Sequence, residues 1–378
     1  METPLRFFGA FAACVALGLA ALIALMSTAG ELYTTRAAVR SQIVYGGVYG
    51  RVVWDDFFAY KMALFEARPT SVVSVGSSRA MAMRAGLFRN GDHLSLGGAV
   101  QSIEQLENTV AALVEAPHPP KLALVFVDFE WFVLPPRRSQ NDVARDAFDS
   151  PVYLLQSGFA KLRDLLRAAS VPQLTADPVG GGKLYGGRAR VWGDGFRVDG
   201  SIQNFSFESG RQPFPEADIA DILGAAPAAI ARDVERFIDQ RKWRNGQLQA
   251  GRIERFNIAM SRLAAADIAP ILILAPVAPH LADALEVHPD LQFFPLLTAQ
   301  IRTIVAAREW PMHDFTRAAL LDPDCWVDRY HASEGAYAWM VARMLENDGK
   351  SKMLLGAYTD KDSVDRFGTS ACKRVLPF

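Results

Sequence analysis

Two short stretches of this chain carry side chains suited to nucleophilic attack and proton transfer. The first is Gly76-Ser77-Ser78-Arg79, which follows the β-branched run Thr70–Val75 (TSVVSV) directly. A hydroxyl on the turn that leaves a strand can act as a nucleophile where a base reaches it, and backbone N–H groups of the turn can stabilise an oxyanion. Taken alone, serines at such a place more simply cap the helix that follows. The second stretch is Asp328-Arg329-Tyr330-His331, just ahead of the amphipathic segment AYAWMVARML. An Asp three residues before a His lets the carboxylate orient the imidazole, whose unperturbed pKa suits it to accept a serine proton near neutrality. Ser, Asp, His is one of several chain orders in which a triad is assembled. Without the serine, the simpler reading is a helix-capping Asp and an incidental His.

The elements that must position these residues alternate between strand and helix. Thr70–Val75 ends in Gly76, as a buried parallel strand entering a tight turn does. Lys121–Asp128 (KLALVFVD), Pro270–Ala275 (PILILA) and Pro311–Phe315 (PMHDF) read as further strands. Helical spacing of apolar residues marks Gln101–Glu115, Ala231–Leu263 and about Ser333–Leu345. Short strands separated by helices of ten or more residues predict parallel βαβ units in an open, mainly parallel α/β sheet flanked by helices. Ligands of such sheets bind at the carboxyl ends of the strands, where Ser77 and Ser78 stand. Residues 135–215, a Gly, Arg and aromatic mixture, read as an irregular insertion holding a short helix near Ser150–Ala168. Gly182-Lys183 within it lacks the spacing and preceding strand of a phosphate loop.

The amino-terminal end is of another kind. Phe7–Gly30 contains no charged residue, and Phe7–Met26 is an almost unbroken apolar run. At about 1.5 Å per residue, twenty such residues span the roughly 30 Å hydrocarbon core of a bilayer. A single uncleaved transmembrane helix is expected, with everything after about residue 31 outside the cytoplasm. The competing reading is a cleaved signal peptide, since Ser27-Thr28-Ala29 offers small residues for a peptidase. The expected organisation is residues 1–30 as cytoplasmic stub and anchor, 31–69 as linker and amphipathic helix, 70–348 as the α/β domain with its insertion, and 349–378 as a carboxyl-terminal tail.

Composition narrows the chemistry. Forty Lys and Arg against 41 Asp and Glu leave a net charge of -1 in 378 residues, so there is no basic field of the sort nonspecific nucleic-acid binding needs. Three cysteines, Cys14, Cys325 and Cys372, are too few for a four-thiolate zinc site. Cys325 and Cys372 are candidates for one disulfide in an oxidising compartment. His93, His118, His288 and His313 have no ligand-like spacing, so neither metal nor cofactor is expected.

A strand followed by Gly-Ser-Ser near the start, with Asp-x-x-His before the last helix, resembles the SGNH/GDSL hydrolase superfamily. The likeness runs weakly over residues 70–132 and 268–346. It implies an SGNH or flavodoxin-like fold in which Ser78 is the nucleophile, His331 the base and Asp328 its orienting acid, with Ser77 standing where the family has Asp. The Gly-Ser-Ser form with an amino-terminal anchor is similar to extracytoplasmic proteins that work beside membrane-bound O-acyltransferases in teichoic-acid D-alanylation or polysaccharide acetylation. The resemblance therefore implies a single-pass inner-membrane protein with its catalytic domain in the periplasm or outside the cell. Its partners would be a membrane-bound O-acyltransferase and a polysaccharide acceptor.

Two blocks depart from the family. Its second block supplies an oxyanion-hole glycine N–H; here Leu94–Gln101 (LSLGGAVQ) offers Gly97, Gly98 or the Val100 backbone, without the usual asparagine. Its third block has an asparagine after a strand, where this chain has Asp128 in VDFEWF. Arg79, beside the serines, is a candidate for an anionic or sugar substrate, against a surface salt bridge. His280, following the Pro270–Ala275 strand, is a candidate to line the cleft, against a loop histidine with no duty. Trp131, Trp192 and Phe196 are candidates to stack on sugar rings, with core packing the simpler fate of Trp131.

Overall fold

The computed structural model describes residues 2–51, 57–133, 183–203, 225–241, 243–318, 320 and 325–365. Among them the chain forms two compact units. One holds residues 2–51, 183–198 and 202–203; the other holds 57–133, 199–201 and the described residues from 225 onward. The expected helix at Ser150–Ala168, and most of the expected insertion, lie outside the described residues.

The larger unit is built on five parallel strands: β1 (Val72–Gly76), β2 (His93–Gly97), β3 (Leu122–Phe126), β4 (Ala269–Leu274) and β5 (Met312–Asp314). Their order is β2-β1-β3-β4-β5, and every neighbouring pair is parallel. This is a doubly wound order, in which β1 and β3 flank the point where the winding reverses. Every residue of β1, β2 and β3 is buried, as expected of a sheet covered on both faces. Successive residues point to opposite faces, so Leu122, Leu124 and Phe126 of β3 and Ile271 and Ile273 of β4 share one apolar layer. That layer packs with Tyr337, Met340, Val341 and Met344 of helix Glu334–Asn347. Full burial of each such large side chain contributes about 1.5–3 kcal/mol before entropy is counted.

The helices follow the expected faces with two differences. Helix Ile103–Val114 is capped by Ser102, whose hydroxyl accepts the Gln105 N–H at 3.3 Å, and it buries Ile103, Leu106, Val110 and Leu113 at helical spacing. The stretch expected as one helix over Ala231–Leu263 is two, Pro227–Arg241 and Ala250–Ala265. Between them Asn245 adopts a left-handed φ of 53°, and Trp243 is buried against Phe129 (4.7 Å) and Phe237 (5.2 Å). A continuous helix would not return Trp243 to this aromatic cluster. Residues 349–365 are not a tail: Gly349–Leu355 and Lys361–Asp365 are helical, and Leu355 and Val364 join the core. Cys325 is held in a disulfide, while Cys372, its expected partner, lies outside the described residues.

The smaller unit begins with helix Glu2–Thr28, of which Phe7–Thr28 is long and apolar enough to cross a membrane once. It continues with helix Thr35–Tyr45 and a four-stranded sheet of two-residue strands, ordered Leu184–Tyr185, Val48–Tyr49, Gly195–Phe196, Ile202–Gln203. Buried Gln42 ties helix to sheet by donating to the carbonyls of Phe196 (2.8 Å) and Gly47 (3.2 Å).

Candidate active site

The chain leaves β1 at Gly76, where a side chain has no room: a Cβ there would lie 2.9 Å from the Cβ atoms of both Ala80 and Phe126. The tight exit places Ser77 as the cap of a 3-10 turn, Ser78–Ala80. The two serines face different partners. Ser77 caps, accepting the Arg79 N–H at 3.3 Å, while Ser78 Oγ lies 2.8 Å from His331 Nε2.

His331 Nδ1 lies 2.7 Å from Asp328 Oδ2. A carboxylate only accepts, so Nδ1 carries the proton and Nε2 presents its lone pair to the Ser78 hydroxyl. The other Asp328 oxygen accepts the backbone N–H groups of Tyr330 (2.7 Å) and His331 (2.8 Å). The loop is pinned behind them by Val327 N–H donating to the His331 carbonyl at 2.8 Å and by an antiparallel bridge between Trp326 and Ala332. Desolvation works against ionisation of Asp328, but the His331 charge, its ring N–H and the two backbone donors outweigh it and hold the carboxyl below its ordinary range. Ser78 and His331, 253 residues apart in sequence, thus join Asp328 in one hydrogen-bonded relay that is only half-buried.

The glycines behind the serine turn do different work from the one expected. Gly98 N–H donates to the carbonyls of Gly76 (2.9 Å) and Ser77 (2.8 Å), Val100 N–H to Gly76 (3.2 Å), and Gly97 N–H to Ser95 Oγ (3.3 Å). The Gly98 and Val100 amides hold the serine turn, the Gly97 amide is spent on its own strand, and none of the three is presented to a ligand. A Cβ on Gly97 would lie 2.4 Å from Met81 N, and Gly98 has φ +87°, so both positions exclude other residues through the closeness of that turn.

Asp128 follows β3 at the neighbouring strand end and is buried. One oxygen accepts from Ser77 Oγ (2.6 Å), the other from Tyr330 Oη (3.0 Å) and Glu130 N–H (3.1 Å). It therefore joins the serine turn to the Asp328–His331 loop. Tyr330 is the member of this link that sequence reasoning missed; its signal was only its place inside Asp-x-x-His. Burial, reinforced by the Asp128 charge, pushes its phenol well above the ordinary value, so it acts as a donor.

Arg79 is neither on the surface nor open to substrate. It is 3% exposed, its guanidinium donating to the carbonyls of Ala275 and Pro276 and lying 4.7 Å from the Tyr330 ring centre. Arg241 lies at 4.7 Å from the same ring and pairs with Glu130 at 3.1 Å. His280 sits on the first turn of helix Pro279–Val287 with Nε2 3.5 Å from Asp233, whose other oxygen pairs with Arg329 at 2.7 Å. Burial, partly offset by Asp233, lowers its pKa. His280 is thus packed against the Arg329–Asp233 pair, its side chain 4% exposed.

The remaining candidates are scattered. Trp131 is a core residue, and in the smaller unit Phe196 is buried and Trp192 half-buried. His288 meets Glu235 at 3.0 Å and His313 meets Ser351 at 2.7 Å. No group of His, Cys, Asp or Glu suited to a metal occurs among the described residues. No protein-family model matches the chain, and no curated protein matches it by sequence.

Proposed function

We propose that this chain is a membrane-anchored, extracytoplasmic SGNH-type O-acyltransferase that modifies a cell-surface polysaccharide through a serine acyl-enzyme. The observation that carries this reading is the relay itself, Ser78 Oγ to His331 Nε2 at 2.8 Å and His331 Nδ1 to Asp328 at 2.7 Å. His331 takes the hydroxyl proton as Ser78 Oγ bonds to the acyl carbonyl carbon, and Asp328 stabilises the imidazolium that forms. The imidazolium then protonates the leaving oxygen, the donor bond breaks, and the acyl group stays on Ser78. In the second half the acceptor hydroxyl gives its proton to His331 and attacks the ester, and Ser78 recovers its proton as it leaves. Because Gly97, Gly98 and Val100 spend their amides internally, the oxyanion donor in this reading is the Ser78 N–H, at the first position of a turn where the helix itself supplies no acceptor.

The acyl donor would come from a membrane-bound O-acyltransferase, and the apolar Phe7–Thr28 helix supports an anchored site of action. Replacing Ser78 by Ala tests the reading: envelope polysaccharide should lose its acyl groups while the protein level is unchanged. Retained acylation in a strain that depends on the protein would sink it. A second reading, a non-catalytic partner of the same fold, is favoured by one observation. Asp128, a carboxylate already engaged by three donors, stands where the family places an oxyanion-stabilising asparagine. Hydrolysis is separated from transfer by giving the purified full chain an aryl acetate with and without a glycan acceptor; acetate released to water in both cases marks an esterase.

A further inference from the structure

The smaller unit contains an exposed face that the acyl-transfer reading does not use. Helix Thr35–Tyr45 buries Thr35, Ala38, Val39 and Gln42 against its own unit. At about 100° per residue, Arg36, Arg40, Ile43 and Val44 fall within roughly 100° of one another on the opposite side. All four are exposed, Val44 at 69%, and Tyr45 beside them at 62%. Arg36 and Arg40 form no ion pair among the described residues. Lys183 adds a third cation at this edge, its Nζ 3.3 Å from the Tyr45 ring centre. A side of a helix that mixes unpaired arginines with bare aliphatic side chains is poorly suited to bulk water.

Its position in the chain says what covers it. The apolar span ends at Thr28, seven residues before the helix begins. The junction is built into the fold: Met26 and Ala29 are buried, the Ala29 carbonyl accepts the Gly186 N–H at 3.1 Å, and the Glu31 carboxylate accepts the Gly187 N–H. Gly30 has φ +81°, and a Cβ there would lie 2.7 Å from Gly186 N, so only glycine passes. Cleavage after Ala29 would remove residues this unit packs on, which argues for a retained helix. Tyr33, 39% exposed, stands between span and helix.

We propose that the Arg36, Arg40, Ile43, Val44 and Tyr45 face lies in the headgroup region of the bilayer. The two guanidinium groups would pair with lipid phosphates, and the aliphatic side chains would enter the acyl boundary. Guanidinium matches phosphate oxygens with paired N–H donors, and tyrosine favours the level where hydrocarbon meets water. The occupant is phospholipid because the face continues an apolar span, and because its arginines are positive and unpaired.

The test places a photo-crosslinking phenylalanine analogue at Val44 of the full chain, in nanodiscs of mixed neutral and anionic phospholipid. The same analogue at Val287, 73% exposed in the other unit, is the control. Phospholipid adducts at position 44, at least about fivefold above position 287, are the expected result. The Arg36→Ser, Arg40→Ser double variant should reduce the yield at 44 at least about threefold, most strongly with anionic lipid. Equal yields at 44 and 287, adducts at 44 to protein alone, or protein recovered outside the discs would each overturn the proposal.

Discussion

Strand β2, which lies beside the strand that ends in the serine turn, starts at a histidine whose ring has no hydrogen-bond partner among the described residues. His93 is fully buried and stacked on Phe88 at 4.4 Å and 7°, and neither ring nitrogen is paired among the described residues. Burial lowers its pKa from 6.5 to about 3; Asp199 and Asp92 oppose this, Arg68 and Lys61 add to it. The folded protein therefore keeps His93 neutral while the unfolded chain protonates it near its ordinary value. Protons bound only by the unfolded state make stability rise with pH, so the contribution is complete above about 6.5 and is lost as pH falls toward 3. Between pH 7 and pH 5 the loss from this one group is about 2 kcal/mol, obtained from the unfolded pKa and insensitive to whether the folded value is 3 or 4. The assay is urea unfolding of the full chain in detergent at the two pH values, for the parent and for His93→Leu. The leucine variant has its own offset, but the pH 7 to pH 5 loss should be about 2 kcal/mol smaller than in the parent. Equal losses in the two proteins would show that His93 takes its proton in the folded state and would refute the reasoning.

Further variants bear on the relay and its supports. Asp328→Asn should leave the proposed acyl-enzyme reaction slower by on the order of 10^4, because the amide can reverse the tautomer of His331 that presents a lone pair to Ser78. Since Asp328 has a lowered carboxyl pKa in the folded state, its stabilising effect is full above the unfolded carboxylate range and is lost only as pH falls through the lowered value, so the parent-to-variant stability gap should close in strong acid. Tyr330→Phe removes one of three donors to Asp128 and should cost roughly 1–3 kcal/mol of stability. With Ser77→Ala it should form a non-additive pair in a double-mutant cycle on turnover, with KM little changed; additive effects would separate the two ends of the link.

What could be read in the sequence was what is local. The Asp328 to His331 spacing is closed within one tight loop, and its carboxylate bonds to the backbone of residues two and three places on. The Gly76-Ser77-Ser78 turn is fixed by its own strand exit. Strands β1, β3 and β4 announced themselves as apolar runs. Strand β2 did not, because His93 and Ser95 interrupt its pattern; both are buried, Ser95 through a hydrogen bond to the Ala80 carbonyl at 3.1 Å and His93 by stacking. Lys61, in helix Phe57–Ala67, was equally hidden: a lysine inside a helix reads as a solvated face, yet its ammonium is buried and donates to the carbonyls of Ser95 (3.1 Å) and Gly200. Burial, with Asp199 opposing, brings its pKa well below the usual range.

The same distinction explains the oxyanion glycines and Asp128. A glycine pair after an apolar segment is compatible with an exposed donor or with a close backbone crossing, and only the neighbouring turn decides between them. Here Met81 and the carbonyls of Gly76 and Ser77 occupy the space, so the pair serves the crossing. Asp128 is then free of an oxyanion duty and takes three donors, two of them side chains from the two halves of the relay. Asparagine in its place would offer one oxygen acceptor and an NH2 donor, and could not accept from Ser77 on one side and from Tyr330 and Glu130 on the other. Asp128→Asn should therefore loosen the relay and not improve it: turnover in the proposed reaction should fall, and a rise in turnover would favour an oxyanion role for position 128.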